Sequence, residues 1–255
     1  MNADTILAAE GLGKRYGGFV ALDDVSVAFA RGRLTAIIGP NGAGKSTFFS
    51  LLSGAAAPSL GRIRLDGADI AGQPQFRFAR MGIARSYQIT SLFPQLTAHE
   101  NVRVACQAVH ASARRGLWRG RAHYPALAEE ADATLALVGL LGRRSRPAAH
   151  LAHGEQRALE IAVALASRPK LLLLDEPTAG MSPEETKEMM DLIARLAAER
   201  TVLLVEHKMK LVMGLADRIV VLHHGRLLAS GTPDDIRVHP EVRRVYLGEG
   251  RTGRG

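Results

Sequence analysis

A glycine-rich segment, Gly39-Pro-Asn-Gly-Ala-Gly-Lys-Ser-Thr47, contains the residue types that hold phosphate groups. Its spacing, G-x-x-x-x-G-K-[ST], lets the backbone bend until successive amides point inward at phosphate oxygens. Lys45 is placed to reach the β- and γ-phosphates of a nucleotide, and the Ser46 hydroxyl is placed to bind Mg²⁺. The predicted nucleotide-binding residues of this loop are Gly39, Pro40, Asn41, Gly42, Ala43, Gly44, Lys45, Ser46 and Thr47.

Two adjacent carboxylates, Asp175 and Glu176, follow the continuous apolar run 171–174. Such a run is typical of a strand that is buried on both faces of a parallel sheet. Acidic residues at a strand end often only cap a helix, but here the phosphate loop favours a chemical role. We interpret Asp175 as a ligand of Mg²⁺, directly or through water. Glu176 then orients or deprotonates the water that attacks the γ-phosphate.

The elements around these residues alternate between strands and helices, which predicts a mainly parallel sheet. The phosphate loop stands between a strand candidate at 34–38 and a helix that begins at Lys45. The positive end of that helix therefore faces the bound anion. Ahead of the loop, short apolar segments broken by glycines within residues 6–29 predict two or three antiparallel strands.

Between residue 97 and about residue 169 the pattern is helical, and we predict an inserted helical lobe there. Thr97 and Glu100 have the spacing of a capping box, which starts a helix by satisfying free backbone amides. Ser182 and Glu185 repeat that spacing around a first-turn proline and predict a helix that runs to about residue 199. Further strands are predicted at 61–66, 83–88, 201–205, 218–222 and 227–230.

The composition of the chain is that of a globular protein, with 255 residues, 47% hydrophobic and 23% charged. No window approaches the roughly 18 to 20 apolar residues of a membrane span, and we expect no secretory signal. The single cysteine, Cys106, excludes an internal disulfide and fits a reducing compartment. The net charge of +8 would suit nucleic acid or anionic lipid, but no nucleic-acid-binding motif is visible and no direct nucleic-acid partner is expected. The one basic cluster, interpreted as a solvated loop face, consists of Arg114, Arg115, Arg119 and Arg121 around Trp118.

The segment Leu151-Ala-His-Gly-Glu-Gln-Arg157 precedes the two carboxylates and resembles the signature L-S-G-G-Q of ATP-binding-cassette (ABC) ATPases. Three single residues match other motifs of that family. Tyr16 matches the aromatic residue that stacks on adenine, Gln88 the glutamine that senses Mg²⁺ and the attacking water, and His207 the switch histidine that holds the γ-phosphate. Each match is weak alone, but all of them occur in the family's order. A P-loop kinase is a poorer explanation, because it would need neither the signature nor the histidine.

The resemblance implies an α/β fold, namely a P-loop NTPase of the ABC type. That fold has a mainly parallel core sheet, an N-terminal antiparallel β subdomain and an inserted α-helical subdomain. The implied ATPase domain spans residues 1–247, with the helical subdomain at about 90–168, and the composition of 248–255 predicts a disordered tail. ATP and Mg²⁺ are the implied cofactors. The implied catalytic residues are Lys45, Gln88, Glu176 and His207, and the implied Mg²⁺ site consists of Ser46, Gln88 and Asp175.

The signature departs from the family pattern in three of its residues, which the family uses to contact a nucleotide held by the opposing subunit. Ala152 stands in place of the serine, His153 in place of a glycine, and Glu155 in place of the glutamine. The full predicted signature is Leu151, Ala152, His153, Gly154 and Glu155. Ala152 cannot donate the hydroxyl hydrogen bond, so we expect this signature to be the weaker half of a heterodimer. A further departure is Ser182, where many members have an aspartate at the dimer interface.

Three segments, 178–185, 205–209 and 231–248, resemble the ATPases of branched-chain amino acid importers. Within such importers they match best the longer of the two ATPase subunits. This resemblance implies a second, non-identical ATPase subunit, two membrane permease subunits and an external binding protein. It also implies a peripheral location at the cytoplasmic face of the inner membrane.

Three alternatives stay open at this point. The same motifs would serve an importer of urea or amides, or the ATPase of a lipopolysaccharide exporter. A soluble ABC ATPase acting on DNA or ribosomes would explain the net charge, but such proteins usually carry two cassettes or long coiled-coil inserts.

Overall fold

The computed structural model describes residues 4–86, 92–109 and 125–247. Its strands are β1 (Thr5–Tyr16), β2 (Phe19–Ala30), β3 (Leu34–Ile38), β4 (Leu60–Leu65), β5 (Ala68–Asp69), β6 (Ile83–Arg85), β7 (Leu171–Asp175), β8 (Thr201–Val205), β9 (Arg218–His223) and β10 (Arg226–Gly231). Its helices are α1 (Lys45–Leu52), α2 (Gln75–Arg80), α3 (Ala98–Val109), α4 (Pro125–Leu137), α5 (His153–Leu165), α6 (Pro183–Ala197), α7 (Met209–Leu215), α8 (Pro233–Val238) and α9 (Pro240–Leu247).

The strands form two sheets. The first is antiparallel, in the order β2-β1-β4-β5, and its long β1–β2 hairpin corresponds to the strands predicted within residues 6–29. The second has the order β10-β9-β3-β8-β7-β6 and is parallel except for β10. Every residue of β3, β7 and β8 is buried, which explains why these strands read as continuous apolar runs in the sequence. The predicted fold is confirmed.

Two hydrophobic clusters hold the sheets and helices together. One lies between the two sheets and includes Phe48 and Phe49 of α1, both fully buried. The other lies on the opposite face of the parallel sheet and includes residues of α3, α4, α5 and α6. The parallel sheet is therefore covered on both faces, and only its strand ends are left to build a site.

The helical starts agree with the predicted capping boxes. Thr97 N donates to Glu100 Oε2 at 2.9 Å and Glu100 N donates to Thr97 Oγ1 at 3.1 Å, just before α3. Ser182 and Glu185 exchange the same pair of bonds at the start of α6. Sequence patterns did not predict α2, α7, α8 and α9, because helices of six to eight residues are too short to show a clear helical period. Within the described ranges, no helix has both the length and the apolar character needed to cross a membrane.

Candidate nucleotide site

The phosphate loop is wedged between the two sheets, and its glycines are needed for that fit. A Cβ added at Gly39 would lie 2.4 Å from the carbonyl oxygen of Leu222, which is closer than real Cβ atoms approach backbone. Gly44 has a φ of +95°, and a Cβ there would lie 2.8 Å from the carbonyl oxygen of Ala21 in β2. The loop therefore cannot accept side chains at these positions without moving the strands beside it.

Lys45, the first residue of α1, folds its side chain back over the loop. Its Nζ donates to the carbonyl oxygen of Gly39 at 2.7 Å and to that of Pro40 at 3.1 Å. Burial lowers the pKa of the Lys45 ammonium, and the nearby carboxylates of Glu176 and Asp175 oppose that shift. The lysine predicted to reach phosphate is thus in electrostatic contact with both predicted carboxylates, although they lie about 130 positions away in the sequence.

Asp175 ends β7 and is almost fully buried. Its Oδ2 accepts from Nη2 of Arg85 at 2.6 Å, whereas its Oδ1 is buried with no hydrogen-bond partner among the described residues. The Arg85 guanidinium also donates to Ser53 Oγ at 3.1 Å and lies 5.5 Å from the ring centroid of Phe49. Sequence reasoning assigned Arg85 no role, although an arginine at the end of the apolar strand β6 was a visible signal.

The residues predicted to hold Mg²⁺ fit that ion in their chemistry. The free buried Oδ1 of Asp175 is a hard oxygen acceptor, and Ser46 is exposed at the start of α1. No group of three or more His, Cys, Asp or Glu side chains gathers into a metal site within the described part of the chain. Mg²⁺ in nucleotide enzymes uses one or two carboxylates plus phosphates and waters, so a single carboxylate is the donor set to expect.

Glu176 follows β7 in a left-handed backbone conformation, with a φ of +45°. Its amide donates to the carbonyl oxygen of Val205 at 2.9 Å, which ties it to the end of the neighbouring strand β8. Non-glycine residues in this conformation are uncommon and strained by about 1–3 kcal/mol, and they cluster at active sites. The chain turns sharply in this conformation at the end of β7. As a result Asp175 is buried whereas the adjacent Glu176 is only partly buried.

His207 comes two residues after the end of β8, and its side chain is 50% exposed. Because β3, β8 and β7 are parallel neighbours, their carboxyl ends place the phosphate loop, His207 and Asp175 at one edge of the sheet. In open parallel sheets, ligands bind outside this edge. Between His207 and β8 lies Glu206, a completely buried carboxylate that sequence reasoning left without a role.

Tyr16, the predicted adenine-stacking residue, ends β1 and is 51% exposed. It pairs across the hairpin with Phe19, which is also exposed, and Lys14 Nζ lies 5.0 Å from its ring centroid. The same hairpin passes the phosphate loop at Ala21. An aromatic face is therefore presented on the strand that borders the loop, and the stacking role stays a prediction.

The signature residues begin α5, with Ala152 as the N-cap residue. Glu155 Oε2 accepts from the Ala152 amide at 2.9 Å, which is one half of a capping box that alanine cannot complete. Glu155 Oε1 accepts from Nε of Arg143 at 3.0 Å. The Ala152 amide first and the Arg143 guanidinium second hold the pKa of the Glu155 carboxyl below its ordinary value. Glu155 therefore has a local role in capping the start of α5.

His153 contacts the loop that follows β7, and Gly154 contacts the first turn of α6. A ring nitrogen of His153, Nε2, lies 3.1 Å from the carbonyl oxygen of Ala179, and the Gly154 amide donates to Glu185 Oε1 at 3.2 Å. Leu151 is buried beneath them. Among the residues the structure describes, the hydrogen bonds of residues 151–155 run to their own helix, to Arg143 and Ala148 just before it, to Ala179 and to Glu185, and none reaches the phosphate loop.

Some predicted residues fall outside the described ranges. They are Gln88, the cluster of Arg114, Arg115, Arg119 and Arg121 around Trp118, and the tail 248–255.

Comparison with known proteins agrees with this arrangement. Residues 22–179 match the family described as ABC transporter, and residues 226–252 match one described as branched-chain amino acid ATP-binding cassette transporter. The chain is 44% identical over 253 residues to the high-affinity branched-chain amino acid transport ATP-binding protein LivG of Salmonella typhimurium, across 96% of this chain and 98% of the relative. It is 44% identical over 252 residues to the corresponding protein BraF of Pseudomonas aeruginosa, with the same coverage. Among solved structures, an ATP-binding cassette of an ABC transporter in its ADP conformation is 29% identical, with a TM-score of 0.84 over 96% of this chain and 99% of that one.

Proposed function

The chain belongs to the family of ABC transporter ATPases, and from that premise we propose that it powers an importer of branched-chain or related hydrophobic amino acids. In this proposal it binds and hydrolyses ATP with Mg²⁺. The observation that carries the catalytic part is the meeting of Lys45, Asp175, Glu176 and His207 at the carboxyl edge of the parallel sheet. The match of residues 226–252 to the branched-chain family, together with the LivG and BraF relatives, supports the substrate class.

Phosphate binding rests on the loop and on Lys45. The ammonium now donates to two loop carbonyls, and the same donors can turn to the β- and γ-phosphates when a nucleotide enters. The amides of the loop and of the first turn of α1 supply further donors and a positive helix end. Tyr16 offers its exposed ring to adenine. The nucleotide is thus held at both ends by elements that border the first sheet.

Hydrolysis in this proposal uses Glu176 to orient the attacking water and to accept its proton, while His207 contacts the γ-phosphate. Asp175 and Ser46 would hold Mg²⁺, which would neutralise negative charge on the phosphates. Arg85 fixes one oxygen of Asp175 and leaves the other free to face the ion or its water. Gln88 is proposed to sense the ion and the water from the start of the helical lobe.

The signature acts on a second nucleotide in this proposal. Residues 151–155 contact ATP held by the opposing ATPase subunit, which is a non-identical partner. ATP binds more tightly to the closed pair than to the open one, so binding closes the pair and hydrolysis reopens it. The motion passes to two membrane permease subunits at the cytoplasmic face of the membrane. An external binding protein delivers the solute.

Reconstitution of the transporter complex tests this proposal. The tagged chain is purified with its membrane subunits, placed in liposomes with the binding protein, and assayed for ATP hydrolysis and for uptake of labelled leucine, isoleucine, urea and acetamide. We expect ATP-dependent uptake of the branched-chain amino acids. Lys45→Ala should abolish hydrolysis and uptake, whereas Lys187→Ala, which removes an exposed lysine of α6, should preserve both.

Two results would contradict different parts of the proposal. A wild-type complex without ATPase activity would overturn the catalytic assignment. Hydrolysis coupled to uptake of urea or acetamide alone would overturn the substrate class and leave the ATPase role intact.

A further inference from the structure

Glu206 is a carboxylate with 0% of its surface exposed, next to a residue of the proposed mechanism. Removing a carboxylate from water is expensive unless hydrogen bonds or an opposite charge compensate. Among the described residues, no lysine or arginine lies within ion-pair distance of Glu206. The only basic side chain within that distance in the described ranges is His207. The hydrogen bonds that Glu206 accepts must therefore offset the cost of burying its carboxylate.

The two carboxylate oxygens of Glu206 serve two different segments. Oε1 accepts from the Thr178 hydroxyl at 2.6 Å and from the Thr178 amide at 3.2 Å. Oε2 accepts from the His207 amide at 3.2 Å and lies 3.9 Å from Nδ1 of the His207 ring. One side chain thus joins the loop after β7 to the residue that follows β8.

The segment held through Thr178 includes the proposed catalytic carboxylate. Thr178 is fully buried and lies two residues after Glu176, whose amide is itself bonded to Val205 at the end of β8. Lys208 Nζ approaches the carbonyl oxygen of Thr178 at 3.4 Å from the other side. Glu206 and the backbone bond of Glu176 therefore form two cross-links between the same two strand ends.

We propose that Glu206 is a positioning residue for ATP hydrolysis, acting on Glu176 through Thr178 and on His207 directly. This inference rests on the proposed function and names a further residue of the same site. Through its bonds to Thr178, it sets the path of the strained turn at Glu176. Through its bond from the His207 amide, it fixes the backbone from which the His207 ring reaches the γ-phosphate.

A purely structural role makes a different prediction. If Glu206 only filled space, a neutral side chain of the same shape would act equally well, and replacing a buried charge often even stabilises a protein. A glutamine side chain has one oxygen and one NH₂ group. If its oxygen accepts from Thr178, its NH₂ group cannot accept from the His207 amide. If its oxygen accepts from the His207 amide, its NH₂ group cannot accept from Thr178. The substitution therefore separates filling from positioning.

The test compares Glu206→Gln with the wild type and with Glu160→Gln, a buried carboxylate of α5 that pairs with Arg157 away from this edge. We expect Glu206→Gln to lower kcat about tenfold or more while the Kd for ATP changes little, because misplaced groups slow chemistry more than they weaken binding. Backbone NMR of the full chain should show that the amide of His207 or that of Thr178 has lost its hydrogen bond to the side chain of residue 206. Glu160→Gln should change neither quantity.

An unchanged kcat together with unchanged amide hydrogen bonds of His207 and Thr178 in Glu206→Gln would overturn the proposal. If that variant does not fold, Thr178→Val and Thr178→Ser decide the matter, since valine removes the hydroxyl donor at similar size and serine retains it. A drop in kcat with valine that serine largely restores supports the proposal, and wild-type kcat in both overturns it. The NMR measurement does not depend on ATP turnover. An inactive wild-type chain would therefore contradict the proposed function, while the NMR result would still show whether Glu206 holds Thr178 and His207.

Discussion

The chain presents two surfaces proposed to contact nucleotide, and different forces hold them. The phosphate half consists of residues 39–47 with Asp175 and Glu176. It is built on buried strands and on Gly39 and Gly44, which have no room for a Cβ. The signature half, residues 151–155, is a helix start at which Ala152 and His153 are exposed, and it is held by hydrogen bonds to the loop after β7 and to Glu185 in α6. Backbone packing thus determines the first half, and replaceable side chains determine the second.

This difference explains why three of the four departures from the family pattern lie in the signature half. In the phosphate half, a change of side chain would push directly on Leu222 or Ala21. At the start of α5, His153 finds a partner in the carbonyl oxygen of Ala179, and Glu155 finds one in the Ala152 amide. A helix N-terminus stays attractive to an anion through its amides whatever side chains surround it. The geometry of the signature half therefore survives substitutions that the phosphate half could not accept.

The largest expected effect is on the phosphate half, from Glu176→Gln. The amide keeps the size and the left-handed backbone but cannot take a proton, so kcat should fall by about 10²- to 10⁴-fold. ATP binding should persist, and the closed pair of ATPase subunits should accumulate, as seen by size-exclusion chromatography with ATP. Glu184→Gln, in the exposed first turn of α6, is the matched control. Turnover near the wild-type rate would remove Glu176 from its assigned role.

The second prediction concerns the buried ion pair beneath the phosphate half. Arg85→Met leaves the Asp175 carboxylate buried and unpaired, so the free energy of unfolding should fall by about 3–5 kcal/mol. Urea denaturation measures this difference. Arg62→Met removes an exposed arginine whose nearest carboxylate oxygen is 4.0 Å away, and it should change stability by less than about 1 kcal/mol. Equal losses in the two variants would show that the pair does not stabilise this half.

The two halves also differed in how far the sequence predicted them. The phosphate loop and β7 are local patterns, so their residues could be recognised one segment at a time. Arg85 and Asp175 are 90 positions apart, and Glu206 and Thr178 are 28 apart. No periodicity or spacing records such pairs, because the parallel sheet that brings them together is formed by the whole chain. The bonds of His153 to Ala179 and of Gly154 to Glu185 were unpredictable for the same reason.

Acid should loosen the signature half selectively. Hydrogen bonds from the Ala152 amide and from Arg143 lower the pKa of Glu155, and those from the Ser182 and Gly154 amides lower that of Glu185. A lowered folded-state pKa gives stability that is present above the ordinary value of 4.5 and is lost as the pH falls through the folded value. Amide hydrogen exchange at the start of α5, corrected for the intrinsic pH effect, should therefore speed up below pH 4.5. The double variant Glu155→Gln, Glu185→Gln should lack this dependence, and an equal dependence in it would contradict the assignment.

The smallest expected effect comes from improving the signature half with Ala152→Ser. Ala152 already has the extended N-cap conformation, with φ −61° and ψ 161°, so serine fits without moving the backbone. Its oxygen can accept from the Glu155 amide and complete the capping box, which should raise stability by about 1 kcal/mol. Its hydrogen stays free to donate to the γ-phosphate of the opposing subunit's ATP, and ATPase activity of the assembled complex should rise.

These two readouts of Ala152→Ser test different things. Because the hydroxyl accepts and donates with different atoms, the gain in stability of the isolated chain reports whether serine occupies the N-cap position. The gain in ATPase activity reports whether the opposing nucleotide reaches it. Ala149→Ser, on an exposed residue just before the signature, is the control for adding a hydroxyl nearby. A more stable chain with unchanged or lower ATPase activity would mean that the missing hydroxyl is not what weakens this half. The intrachain bonds of His153 and Glu185 would then be the next features to remove, since they hold the signature to its own chain.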